Sequence, residues 1–193
     1  MNVGTSQVEA AVSIRIPARD FRTVMLQTER MLLRSFVPGD AAEIFAHAFP
    51  AVSHYLADRS APTPESFETL WRAWLEDLAN GREATLVARD ANTFEFLGVV
   101  GLHFTLHAEA EVGVWIKDSA SGRGFGLEAV AAMIAWARRE LGVGSVLFAA
   151  AESSESSRRI AEQAGGSPVG HRMQRHPSGT TTAMVVYRIP QSG

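Results

Sequence analysis

Apolar residues return along this chain at two different spacings, and the changes between them mark its elements. Between Thr63 and Asn80, the positions Phe67, Leu70, Trp71, Trp74, Leu75 and Leu78 recur three and four apart, as on one face of a helix. Both ends of this helix are signposted. Thr63 can cap the first turn, Pro64 gives up an N–H that has no partner there, and Gly81 can take the left-handed stop. A tryptophan pair on such a face belongs to the core more often than to a ligand site.

Shorter apolar runs read as strands. MLLRSF (31–36) is one, and Pro38-Gly39 breaks it before Asp40, which is placed to cap AAEIFAHAF. ATLVAR (84–89), FLGVVGLHF (96–104) and EVGVWI (111–116) follow with turn signals between them, an antiparallel meander. LEAVAAMIAWARREL then sets Leu127, Val130, Ile134 and Leu141 on one helix face, with Met133, Trp136 and Ala137 making the other side apolar. Gly142 supplies the stop, and the Arg138-Arg139 pair complements the C-terminal end of the helix dipole.

SVLFAAA (145–151) is the pattern of a buried strand, and strand, crossover helix, strand in this order implies a parallel pair joined right-handedly. A short helix over 154–164 ends at Gly165-Gly166. Two more strands, VGHRMQRH and TTAMVVYRI, flank the hairpin composition Pro177-Ser178-Gly179. Ahead of all this, Val12, Ile14 and Ile16 alternate, so residues 1–25 read as an arm or extra edge strand and 26–193 as a single domain.

Composition narrows the classes. A chain of 193 residues with 46% hydrophobic content buries one real core. A net charge of −3 gives no general attraction to nucleic acid or to an anionic membrane, so neither is an expected partner. Having no cysteine, the chain can form no disulfide, thiolate metal site or cysteine nucleophile. The six histidines, His47, His54, His103, His107, His171 and His176, lack a helical pair spacing, so no metal site is expected. Neither a signal-peptide pattern nor a bilayer-length apolar run is present, and a cytoplasmic protein is the expectation.

The most informative stretch is SASGRGFGLEAV (119–130), three glycines and an arginine between a strand and a helix. Unpaired N–H groups and the helix dipole favour an anion at that junction, although a glycine-rich helix cap has the same letters. A Walker loop is excluded because no Gly-Lys-Ser or Gly-Lys-Thr ends it. A dinucleotide fingerprint is excluded by spacing, since Leu127 falls where a glycine is required.

Gly122-Arg123-Gly124-Phe125-Gly126 before a helix resembles the pyrophosphate loop of the GNAT N-acetyltransferase superfamily, with Ser121 where Gln or Arg is usual. LQTERMLLRSF, AEVGVWI and Ser157-Arg158-Arg159-Ile160 with Glu162 and Gly165 resemble, in the same order, motifs of the ribosomal-protein-alanine (RimJ/RimL-like) branch. Ser154 and Gly166 stand where that branch has Asn and Phe. The resemblance implies a mixed α/β fold: a twisted mixed sheet, helices on both faces, and a splayed parallel strand pair holding acetyl-CoA.

It implies site residues as well. Val114, Trp115 and Ile116 would pair with the pantetheine arm, and Ser121, Gly122, Arg123, Gly124, Phe125, Gly126, Leu127, Ser154 and Ser157 would complete the cofactor site. Glu111 is the candidate base, with Glu109 a competitor, and His103 or His107 could line the acceptor groove. Ala161 stands where many relatives place a tyrosine acid, so Ser154 or water is left to protonate the thiolate, and Tyr187 is expected in the core or groove wall. The implied activity is direct acetyl transfer to a primary amine, a protein N-terminus or a small molecule, with room for a homodimer. A non-catalytic acyl-CoA-binding or regulatory module of the same fold is the alternative.

Overall fold

The computed structural model describes residues 19–48, 63–104, 109–175 and 179–191. The alternating Val12, Ile14 and Ile16, three of the histidines (His54, His107, His176) and the turn residues Pro177 and Ser178 lie outside them.

One sheet of eight strands organises the molecule. In chain order these are β1 (Met25–Gln27), β2 (Met31–Ser35), β3 (Glu83–Asp90), β4 (Phe96–Phe104), β5 (Ala110–Ile116), β6 (Val146–Ala151), β7 (Ser167–Arg175) and β8 (Thr181–Ile189). They lie side by side as β1-β2-β3-β4-β5-β6-β8-β7, antiparallel throughout except for the parallel pair β5–β6. Helices α1 (Ala41–Ala48), α2 (Pro64–Asn80), α3 (Phe125–Trp136) and α4 (Glu155–Gln163) cover it. The expected α/β architecture is therefore present, mixed sheet included.

Side-chain alternation assigns the layers. Phe36 receives Trp71 and Trp74 at ring distances of 6.2 and 5.3 Å, and Arg89 reaches Glu43, so α1 and α2 share one face. On the other face α3 and α4 meet so closely that a Cβ on Gly126 would stand 2.8 Å from Ile160 Cδ1 and 3.6 Å from Ile116 Cγ1. The tryptophans of α2 are core, as their spacing indicated.

The signposts of α2 act as expected. Thr63 Oγ1 accepts the Ser66 N–H at 3.2 Å, Pro64 opens the helix, and Gly81 closes it at φ +64°. Asp40 does something else. It ends a short 3-10 turn, Pro38–Asp40, accepts the Val37 N–H at 3.0 Å, and is gripped by Arg34 and Arg89 rather than capping α1. Burial opposes its ionisation, but Arg34, the Val37 amide and Arg89 together hold its carboxyl below the usual range.

The long helix after the glycine loop is regular only to Trp136 and finishes as a π turn over Ala137–Leu141. There Arg138 Nη2 donates to Pro190 O at 2.5 Å, tying the turn to the chain beyond β8. Residues from Arg19 onward are already packed. Phe21 is buried against Trp136, its ring 5.3 Å away, and its N–H donates to Leu78 O at 2.8 Å.

Candidate active site

The parallel pair β5–β6 is joined at two positions only, Ala110 opposite Val146 and Glu111 opposite Leu147. Beyond Glu111, β5 runs on to Ile116 paired with β4 alone, so the edge facing β6 has no strand partner. Its N–H and C=O groups are free to bond an extended ligand as an added strand would. A cleft of about 600 Å³ opens there.

Its walls gather most of the expected residues. Val114, Trp115 and Ile116 line it from β5, Ser121, Gly122, Gly124, Gly126 and Leu127 from the loop and α3, and Ser154 and Ser157 from the start of α4. Arg123 and Phe125 are not on this lining. Phe125 is 2% exposed and forms the loop's apolar underside, with the guanidiniums of Arg30 and Arg123 at 4.5 and 5.0 Å from its ring. The cation on the lining is Arg159 instead, which also pairs with Glu155 across one helical turn.

The loop itself is built to present N–H groups. A 3-10 turn over Asp118–Ala120 leads to Gly122 at φ +74° and Gly124 at φ +83°, the latter being the N-cap of α3. The first intrahelical bond is Glu128 N–H to Gly124 O at 3.1 Å, which leaves the preceding amides of Phe125, Gly126 and Leu127 for a ligand. Gly124 has no side chain to cap them, so an anion would find them open. The donor set fits a diphosphate.

One element of the site escaped the sequence reading. Arg30, in the Thr28-Glu29-Arg30 motif, reaches across to α3: its Nε donates to Glu128 Oε2 at 2.7 Å, its own N–H to Oε1 at 3.0 Å, and Nη1 to Arg123 O at 2.9 Å. Burial alone would raise the Glu128 carboxyl, but Thr28 and Arg30 together lower it. Arg30 thus orders the loop from outside. Sequence separation hid it.

Glu111 sits at the root of the splay and is 5% exposed. Both carboxylate oxygens accept from Arg172 of β7, at 2.8 Å to Nη1 and 2.5 Å to Nη2, and His103 Nε2 lies 3.8 Å away. This two-pronged pairing ties β5 to β7 across the root of the splay. Glu109 is paired with Arg188 at 2.8 Å. Burial, ahead of the opposing pull of Glu111, lowers the affinity of His103 for a proton.

Ser154 caps α4, accepting the Ser157 N–H at 3.3 Å; its hydroxyl lies 3.4 Å from that of Ser156, and both residues line the cleft. Tyr187 is buried and donates to Glu162 at 3.2 Å, away from this role. Ala161 is fully buried. Among the described residues no group of three or more His, Asp or Glu could hold a metal ion, and no helix is long and apolar enough to cross a membrane.

Comparison with known proteins agrees with this architecture. A candidate ribosomal-protein-serine acetyltransferase from Vibrio cholerae superimposes with a TM-score of 0.73 at 18% identity, covering 88% of this chain and 98% of that one. A ribosomal-protein-S5-alanine acetyltransferase from Vibrio fischeri gives 0.71 at 18% identity, over 88% and 97%. Spermidine N-acetyltransferase from Vibrio cholerae, in complex with CoA and spermine, gives 0.69 at 18% identity, over 85% and 97%. At these identities the likeness is one of fold. No curated protein sequence matches the chain significantly. The sequence model of the acetyltransferase (GNAT) domain does match, over residues 30–167, from the Arg30 clamp through the loop to the start of β7, and the chain belongs to that family.

Proposed function

We propose that this protein is an acetyl-CoA-dependent N-acetyltransferase that passes the acetyl group directly to a primary amine. The observation that carries this reading is the continuity of the cleft: an unpaired β5 edge runs from the root of the splay to the open amides at the start of α3. Pantetheine extends along that edge, and the pyrophosphate rests on the Phe125, Gly126 and Leu127 amides with Ser121 and Gly122 beside it. Ser154, on the α4 side, supplies a hydroxyl for the departing thiolate. The acceptor is an amine such as a protein N-terminus or a small-molecule amine; proteins of like fold are named as a ribosomal-protein-S5-alanine acetyltransferase and a spermidine N-acetyltransferase.

A non-catalytic acyl-CoA-binding module is the competing reading, favoured by the capture of Glu111 by Arg172. Calorimetric titration separates the cases when followed by an assay of CoA release. Acetyl-CoA and CoA are expected to saturate one site while a nicotinamide dinucleotide does not bind. Amine-dependent CoA release then identifies the enzyme, and tight binding with no release across a broad amine panel identifies the module.

A further inference from the structure

Glu111 is engaged by Arg172, and the sheet carries a second carboxylate two strands away. Register places Glu83 of β3 directly opposite His103 of β4, and His103 directly opposite Glu111 of β5. These three side chains therefore stand in one row on the face that carries α1 and α2. The next row along the same face is Thr85, Gly101 and Gly113. Two glycines side by side leave a depression beside the splay.

Among the described residues nothing lies within 4 Å of a Cβ placed on Gly113, and at Gly101 the nearest side-chain atom is Glu83 Oε1 at 4.0 Å. The Glu83 carboxyl thus leans over the glycine floor. No hydrogen-bond donor or cation among the described residues binds it, in contrast to Glu111 and Glu109.

We infer that the glycine floor over Gly101 and Gly113 receives the acceptor amine and that Glu83 is the base that deprotonates it. This rests on the acetyltransferase reading above. The proton passes from the ammonium nitrogen to Glu83, directly or through water. The freed lone pair forms the C–N bond with the acetyl carbon as the C–S bond breaks, and the nitrogen's second proton ends on the CoA sulfur. The amide and free CoA are the products, and Glu83 returns its proton to solvent.

The surroundings suit that task. Burial, with the negative charge of Asp77 adding to it, pushes Glu83 up to about 7, where a carboxylate is a far better base than at its ordinary value. The charged and titratable groups facing it are Asp77 at the end of α2, itself bonded by Arg82 at 2.8 Å, then His103 from β4, and beyond it Glu111 with Arg172. The same uncompensated acidity favours a cationic acceptor over an anionic one.

The test uses the full chain as wild type, Glu83→Gln, Glu83→Asp and Glu111→Gln. CoA release from acetyl-CoA is followed from about pH 6 to 9 with spermidine and with short peptides bearing a free N-terminal alanine or serine, and acetyl-CoA affinity is measured in parallel. Glu83→Gln is expected to lower kcat roughly 100-fold near pH 7 with acetyl-CoA affinity unchanged, the residual rate climbing with pH as free amine accumulates. Glu83→Asp should keep the wild-type pH profile at a reduced rate. A wild-type profile for Glu83→Gln, or a turnover loss matched by lost acetyl-CoA binding, overturns the role of Glu83 and leaves the acetyltransferase reading standing. Acetyl-CoA binding by the wild type without CoA release on any of these amines overturns both.

Discussion

Single residues in this protein carry opposite electrostatic assignments two strands apart in one row of the sheet. Glu111 is compensated by a guanidinium and Glu83 is not, and the difference has a thermodynamic signature. The unfolded chain keeps Glu83 near the ordinary value of 4.5, while burial holds the folded value at about 7. The folded protein therefore binds this proton more tightly. Its contribution to stability is complete below the unfolded value and is lost as pH rises from there through about 7, on the order of 2 to 3 kcal/mol in all. Glu83→Gln removes that loss. In chemical denaturation the variant should match the wild type near about pH 4 and exceed it near about pH 8, and equal stabilities at the higher pH would contradict the burial of an uncompensated acid. Gly124 shows a different constraint: at φ +83°, with Arg30 Nη2 3.3 Å from a would-be Cβ, any side chain strains the backbone as well as filling the cradle. A valine there would strain the backbone as well as block the cradle, so Ser121→Asp is the cleaner way to repel a diphosphate.

Elements were legible from the sequence wherever one local pattern decided them. The cap, proline and glycine of α2 and the apolar run of β4 appear in the structure with their expected ends, because each is fixed by neighbours within a turn or a strand. What could not be read depends on distant partners. The three-residue β1 is too short for a period, and Asp40 lost its capping role to Arg34 and Arg89. Of the site, the loop and the β5 edge were legible through motif spacing, whereas the capture of Glu111 by Arg172, across 61 positions, left no local signal. Arg30 and Glu128, 98 positions apart, are the same case. Because that pair couples the residue preceding β2 to the first turn of α3, Arg30→Gln should weaken acetyl-CoA binding by about tenfold, about 1.4 kcal/mol, in a calorimetric titration. Unaltered affinity would show that the loop keeps its shape unaided.

At the scale of the whole molecule, the sheet is two half-sheets, β1 to β5 and β6-β8-β7, sharing two residue pairs. A ligand lying along β5 supplies bonds that the second half does not. Acetyl-CoA should accordingly slow amide hydrogen exchange about tenfold or more at Val114–Ile116 and in the first turn of α3, and leave β1 and β2 nearly unchanged. Uniform protection would place the ligand elsewhere. The splay would also bear on the pace of the proposed reaction. With acetyl-CoA bound as proposed, the backbone edge and amide cluster would hold the portion of the cosubstrate that is identical before and after transfer, so losing the acetyl group would do little to loosen the hold. Spent CoA would then compete with fresh acetyl-CoA for the same place, and departure of the product, more than bond making, would govern turnover.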